Sequence, residues 1–267
     1  MSTVHRYTIK KTGNLHRSLC VGILTLPHSR KTKHVTSHIM KSYVDWFEDR
    51  GVRVLPILYD TPHPESYFQM INGLFIPGTD KGYDVNNSAL MKTVTRFFEL
   101  SLQPDKYFPI WGTCFGFQIL LFLVGGFAHL KRHEADGYLP IQLTSAAPHS
   151  RMMQSISKKI SMVQDHEYGI SPEQFMKNAH LRRFYRILAT AIDYNGKEYV
   201  AAIEGKYYPI YGVQGHPERR RGRPFLDFFI SELKQNSHRA THPFMRSMYT
   251  PQMCSQYNNP SVLCYFF

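Results

Sequence analysis

The stretch Tyr107-Phe-Pro-Ile-Trp-Gly-Thr-Cys-Phe-Gly-Phe-Gln-Ile-Leu-Leu-Phe-Leu-Val124 decides the fold. Phe108 to Trp111 is an apolar run of strand length, and from about Phe117 the chain is apolar at helix length. Between them stands Gly112-Thr113-Cys114-Phe115-Gly116, the cysteine form of the Gly-x-Ser-x-Gly elbow that joins a strand to a helix. The two glycines are needed because the strand turns sharply and the helix passes close to it, where a Cβ would collide. Such a turn lifts the thiol above the sheet at the positive end of a helix, which favours thiolate over thiol. A cysteine in an apolar run is more often inert packing. Flanking glycines at a strand-to-helix junction point instead to a nucleophile, Cys114.

A cysteine nucleophile needs a base and a group that orients it. Both occur in Tyr207-Tyr-Pro-Ile-Tyr-Gly-Val-Gln-Gly-His-Pro-Glu218. Ile210 to Gln214 reads as a short strand, so His216 and Glu218 fall on the loop leaving its C-terminal end, where sites of α/β sheets collect. Pro217 fixes the backbone between imidazole and carboxylate, so both side chains can project the same way. Glu218 would set the tautomer of His216, and His216 would take the proton of Cys114.

Outward from these motifs the chain alternates strand and helix. Strands are expected at 19–25, 52–58, 73–77 and 108–111, with helices at 37–50, 86–102 and from 117. Later strands follow at 141–143, 186–192, 199–204 and 210–214, and a closing helix at 225–233. This alternation argues one α/β domain over residues 18–267, a mostly parallel central sheet with helices on both faces. Residues 1–17 read as a flexible N-terminal segment.

At 267 residues the chain can bury a full core, and no apolar stretch approaches the length of a membrane span. Met1 to Arg17 has no apolar h-region, so no signal peptide is read and the chain as it stands reads as intracellular. Four cysteines (Cys20, Cys114, Cys254, Cys264) are too few for a disulfide scaffold, though Cys254 and Cys264 could pair in an oxidising compartment. Asn86-Asn-Ser88 fits a glycosylation acceptor. The net charge of +12 predicts attraction to polyanions. No nucleic-acid module accompanies it, so nucleic acid is not the expected partner. No metal site or cofactor motif is read.

The elbow and the His-Pro-Glu loop resemble the class I glutamine amidotransferase superfamily, and the wider sequence is similar to its γ-glutamyl hydrolase branch. The branch-level likeness lies in Ser42-Tyr-Val-Asp-Trp46, Gly51-Val-Arg-Val-Leu-Pro56, Ile71-Asn-Gly-Leu-Phe-Ile-Pro-Gly78, His149-Ser-Arg-Met152 and the terminal Cys264-Tyr-Phe-Phe267. The resemblance implies cysteine-dependent hydrolysis of folylpoly-γ-glutamates, an often homodimeric enzyme, and a secreted, lysosomal or vacuolar setting. Phe115, directly after the nucleophile, is one candidate oxyanion donor; the resemblance places the second at Gly78-Thr79, and a pocket histidine at His166. Where the family usually reads Pro-Gly-Gly, this chain has Pro77-Gly78-Thr79, so strain is expected if Thr79 needs positive φ. Where the family commonly has Trp before the catalytic His, Gly215 is expected to widen the pocket. Arg219-Arg-Arg-Gly-Arg223 follows Glu218, and Arg220 and Arg221 are expected to bind the polyglutamate tail. Two other readings stand beside this one: a glutaminase subunit that hands ammonia to a synthetase, and a catalytically impaired polyanion-binding homologue.

Overall fold

The elbow strand lies near the middle of a nine-stranded sheet. The computed structural model describes residues 19–32, 35–79, 88–126, 130–156, 160–219, 222–236, 252–253 and 262–265. In chain order the elements are β1 (Cys20–Leu24), β2 (Leu26–Thr32), β3 (Val35–Met40), α1 (Lys41–Glu48), β4 (Arg53–Ile57), α2 (Pro64–Phe68) and β5 (Gly73–Ile76). Then come α3 (Ser88–Ser101), β6 (Ile110–Thr113), α4 (Phe115–Gly125), β7 (Lys131–Leu143), α5 (Arg151–Gln154) and β8 (Ile160–Gly169). The chain continues through α6 (Pro172–Lys177), α7 (Ala179–Phe184), β9 (Tyr185–Ile192), β10 (Glu198–Gly205), β11 (Ile210–Val213) and α8 (Arg223–Gln235), then β12 (Gln252–Met253) and β13 (Val262–Tyr265).

The order of the nine-stranded sheet is β4-β1-β5-β6-β11-β10-β9-β7-β8, and a second, four-stranded sheet runs β12-β13-β3-β2. From β4 to β11 every neighbouring pair is parallel; from β11 through β10, β9 and β7 to β8 the pairing is antiparallel. The parallel half is the expected α/β core, and it carries the elbow. The antiparallel half follows from short connections. Asp193 to Lys197 closes the β9–β10 hairpin with Gly196 at φ +73°, a conformation that suits glycine.

Strand periodicity sorts the core into two layers. In β6, Trp111 packs on one face with Phe225 and Phe229 of α8, their ring centroids 6.0 and 5.6 Å away. Its neighbour Ile110 joins Phe97, Phe117 and Leu120 on the other face. In β1, Val21 and Ile23 alternate in the same way with Cys20 and Leu24. Helices α1 and α8 cover the first face, and α2, α3, α4 and α7 the second, so the expected layers are both present. Fully buried rings such as Trp111, Phe47, Phe75 and Phe229 hold the first layer. Truncating any one to Ala would cost about 3–5 kcal/mol.

Several elements differ from the sequence reading; β7 begins at Lys131 rather than Ile141, and β2, α2, α5, α6, α7, β12 and β13 are additional. Residues 37–40 are strand rather than the start of a helix, because β3 pairs with β2 and β13, an alternative to helix that only distant chain can supply. Residues 160–169 form β8, a long strand paired to β7, and it is this strand that delivers His166. Residues 1–17, Asn86, Asn87, Cys254, Arg220 and Arg221 lie outside the described residues. No helix among the described residues is long and apolar enough to cross a membrane.

Candidate active site

At the end of β6 the chain turns at Cys114, whose φ of 51° makes it the one non-glycine residue at positive φ among those described. That conformation is strained for a residue with a Cβ and recurs at sites where the surroundings enforce it. The enforcement is visible on both sides. Cys114 N donates to Val213 O of β11 at 2.9 Å, and Gly116 N donates to Pro77 O at 3.1 Å. A Cβ on Gly116 would stand 2.0 Å from Ile76 O, and one on Gly112 would stand 2.5 Å from Gly116 O. Close backbone approach therefore requires glycine at both elbow positions.

His216 follows β11, which lies beside β6 in parallel register with Val213 opposite Thr113. Its backbone N–H donates to Val163 O of β8 at 2.7 Å, pinning the loop beneath the hairpin. Its Nδ1 lies 2.8 Å from Glu218 Oε1 and 3.3 Å from the Tyr43 hydroxyl. A carboxylate accepts only, so this contact places a proton on Nδ1 and leaves Nε2 as the reactive nitrogen. Nε2 is buried without a hydrogen-bond partner of good geometry. Burial alone would draw the imidazole pKa down. The negative charges of Cys114 and Glu218, with hydrogen bonding to each, overcome that and push it up to about 10. A protonated His216 beside Cys114 is the charge arrangement that stabilises a thiolate.

Gly78 closes the constellation. A methyl group there would stand 2.7 Å from the Tyr43 hydroxyl, 2.8 Å from His216 Cε1 and 3.0 Å from Cys114 Cβ, so nucleophile, base and Gly78 converge on one spot. Gly78 N donates to the Tyr43 hydroxyl at 3.0 Å. Tyr43 is buried, and burial followed by the charges of Glu218 and Cys114 holds its phenol well above the usual range. Phe115 begins α4, so its amide stands at the helix N-terminus directly after the nucleophile. Thr79 is not at positive φ, so the strain expected of a β-branched residue does not arise.

The opposite wall is β8. Asp165 O lies 3.7 Å from Cys114 Sγ, and Gln214 Nε2 lies 3.9 Å from it. His166 is buried edge-on to Tyr199, ring centroids 4.8 Å apart, and burial followed by the charge of His216 pulls it down to about 4. Both amide atoms of Gln164, Gln214 Oε1 and Thr79 Oγ1 are buried without partners, whereas the His166 ring has the His133 and Tyr168 backbones within reach. Buried polar atoms left unpaired within a fold are where water or a ligand is expected to bind. Gly215 does not widen the pocket: a Cβ there would meet Met162 Sδ at 2.7 Å and Gln164 Nε2 at 2.8 Å, because side chains of β8 fill the space. Gln118 of α4 donates to Tyr168 O at 2.9 Å and braces the same strand. Arg219 pairs with Asp165 Oδ2 at 2.6 Å and lies 3.8 Å from Glu218 Oε1, tying the catalytic loop to β8.

Cys114, His216, Glu218, Phe115, Gly78, Thr79 and His166, each singled out from sequence, thus gather at one end of β5, β6 and β11. Sequence reasoning misses Tyr43, Gln164 and Gln214. Tyr43 and Gln214 do stand inside the stretches Ser42–Trp46 and Tyr207–Glu218 that carry the resemblance, whereas nothing local marks Gln164.

The fold and the elbow define a class: residues 35–230 match the model of the family described as glutamine amidotransferase class-I. Among curated relatives, bovine γ-glutamyl hydrolase is 34% identical over 75% of this chain and 72% of its own length. γ-Glutamyl hydrolase B of Dictyostelium discoideum is 33% identical over 79% of this chain, which spans only 65% of that relative's length. Among solved structures, the glutaminase domain of Trypanosoma brucei CTPS with bound acivicin superposes with a TM-score of 0.57 at 14% identity. The match covers 82% of this chain and 95% of that one, and the two share the fold. The chain belongs to the γ-glutamyl hydrolase family of the class I glutamine amidotransferases.

Proposed function

We propose that this protein hydrolyses γ-glutamyl amide bonds by covalent catalysis at Cys114, with folylpoly-γ-glutamates as the substrate class. The observation that carries the mechanism is the strained Cys114 elbow facing a His216 held by Glu218. Cys114 sulfur attacks the side-chain carbonyl carbon, and the amides of Gly78 and Phe115 receive the developing oxyanion. The Gly78 N–H, bound to the Tyr43 hydroxyl at rest, exchanges that partner for the substrate oxygen. His216 Nε2 protonates the leaving amine as the C–N bond breaks, leaving a thioester on Cys114. The same nitrogen then takes a proton from water, which attacks the thioester and releases the acid. Gln164 and Gln214 offer unpaired polar atoms, and His166 a buried imidazole, to the glutamyl end groups. The names of the relatives support the γ-glutamyl bond as the one cleaved.

The test is to incubate the purified protein with a poly-γ-glutamyl folate and, separately, with glutamine, following glutamate and ammonia. Release of glutamate or oligoglutamate from the first and little ammonia from the second is expected. Cys114→Ala should bring the rate to background and Glu218→Gln should reduce it less, because Glu218 orients the base rather than reacting. Turnover retained by Cys114→Ala would rule out the covalent route.

A further inference from the structure

We propose that the protein carries a second binding site, for a small anion borne on a planar ring, at the end of the sheet opposite Cys114. Between the residues leading into β6 and β11 lies a cavity of about 380 Å³, bordered also by β9, β10 and α5. That volume falls within the range of small-molecule pockets. Six residues, the last four of them strand β6, separate Tyr107 from Cys114, so at ~3.3 Å per residue about 20 Å divides this cavity from the thiol.

Its lining is cationic. Lys106, Arg151, Arg186 and Lys206 border it, and the sole carboxylate among the lining residues is Glu204. Glu204 is buried and already engaged: it accepts from the Ser150 hydroxyl and from the backbone N–H groups of Arg151 and Met152 at 3.4 and 3.3 Å. Its charge therefore serves the start of α5 rather than the cavity. Arg151 is balanced by Glu232 at 2.5 Å and lies over the Tyr107 ring, 5.7 Å from its centroid. Lys206 donates to Arg182 O at 2.6 Å, which leaves its charge uncompensated. Lys106 and Arg186 have no ion pair among the described residues. Positive charge gathered in a concave site attracts carboxylate or phosphate.

The ring requirement comes from the tyrosines. Tyr207, which borders the cavity, is 85% exposed, the most exposed large apolar side chain among the described residues. The fold gives it no packing role, while an aromatic face beside guanidinium and ammonium groups is a surface on which a planar ligand can stack. An anion alone would need only the cations.

Binding is measured by calorimetry on the intact protein with four probes: AMP and isophthalate, which carry a ring, and inorganic phosphate and glutarate, which do not. Saturable binding of AMP or isophthalate is expected, and which of the two binds more tightly tells phosphate from carboxylate preference. The double variant K106S/R186S should weaken that binding at least tenfold while γ-glutamyl hydrolysis stays within twofold of wild type. Tyr207→Ser should weaken the ring-bearing probes and leave the ring-free ones unchanged. Melting temperatures within 2 °C of wild type would confirm that the variants fold. Absence of saturable binding by both ring-bearing probes, or binding that survives K106S/R186S, overturns the proposal. The readout is binding, so it stands apart from the outcome of the hydrolysis assay.

Discussion

Substituting Gly116 with alanine tests how finely the elbow positions its thiol. The added methyl would sit 2.0 Å from Ile76 O and 2.7 Å from Ile76 C, both backbone atoms of a fully buried strand. Ordinary contact begins near 3.4 Å, so α4 must retreat by about 1.4 Å for the residue to fit. Cys114 is the N-cap of that helix and moves with it. Overpacking of this kind costs about 1–3 kcal/mol, or a melting temperature lower by roughly 3–10 °C in a chain of this size. The effect on rate should be larger, because misplacing a nucleophile by about 1 Å can cost ~100-fold, equivalent to about 3 kcal/mol of transition-state stabilisation. The assay is kcat/KM for γ-glutamyl release with thermal unfolding measured in parallel. Gly125→Ala is the matched control in the same helix. Its methyl would stand 2.7 Å from Cγ of buried Leu181, so it overpacks the opposite end of α4 and should lower the melting temperature while kcat/KM stays within about threefold. A Gly116→Ala enzyme with wild-type kcat/KM and melting temperature would refute the claim that close approach of α4 to β5 sets the thiol.

Tyr43→Phe leaves the buried Gly78 N–H without its present partner, so denaturant unfolding should report a loss of about 1–3 kcal/mol; an unchanged midpoint would remove Tyr43 from the resting network. Two histidines give stability a pH dependence of opposite sign. His166 is held near 4, below the unfolded value of 6.5, so the unfolded chain gains a proton first and stability falls as pH drops from 6.5 to 4, by on the order of 3 kcal/mol. His216 is raised to about 10, so its contribution is complete below 6.5 and is lost as pH climbs towards 10. His166→Phe should flatten the acid limb alone and His216→Gln the alkaline limb alone, and an acid limb untouched by His166→Phe would contradict the first assignment. If Arg220 and Arg221 capture a polyglutamate tail, added salt should raise KM for long tails more than for a diglutamate, since exposed charges are screened over about 8 Å at physiological ionic strength. Equal salt sensitivity would return these arginines to the solvated surface.

What can be read from sequence is what the chain encodes locally. The elbow needs five consecutive residues and the relay needs His216 and Glu218 two apart, so both are legible without knowledge of the fold. The donor at Phe115 follows from its place after the nucleophile and that at Gly78 comes through resemblance, and in the fold Gly78 lies against both Cys114 and His216. The wall formed by β8 is not legible, because its buried positions include polar Gln164 and His166 and its pairing partner β7 makes sense only once both strands are placed. Tyr43 reaches His216 across 173 positions, and no local pattern announces such a contact. The expectation for Gly215 fails for the same reason: a missing side chain says nothing about which neighbour fills the space, and here Met162 and Gln164 do.

The sheet changes sense at β11, with the parallel β6 on one side and the antiparallel β10 on the other. This places two kinds of surface against the same thiol. The strands and loops of the parallel half present the groups that make and break bonds, each locked by backbone approach too tight to tolerate a methyl group. The β7–β8 pair reaches the site from the far edge and touches it through Asp165 O, the Asp165–Arg219 pair, Gln118 on Tyr168 O and the bridge from Val163 to His216. Residues 162–165 of β8 hold the loop that carries the base, through Val163 O on His216 N, the Asp165–Arg219 pair and the packing of Met162 and Gln164 against Gly215. Substrate preference is therefore free to diverge along β7, residues 131–143, which lies one strand further from the base, and libraries that seek a new γ-glutamyl specificity belong there rather than on residues 162–165.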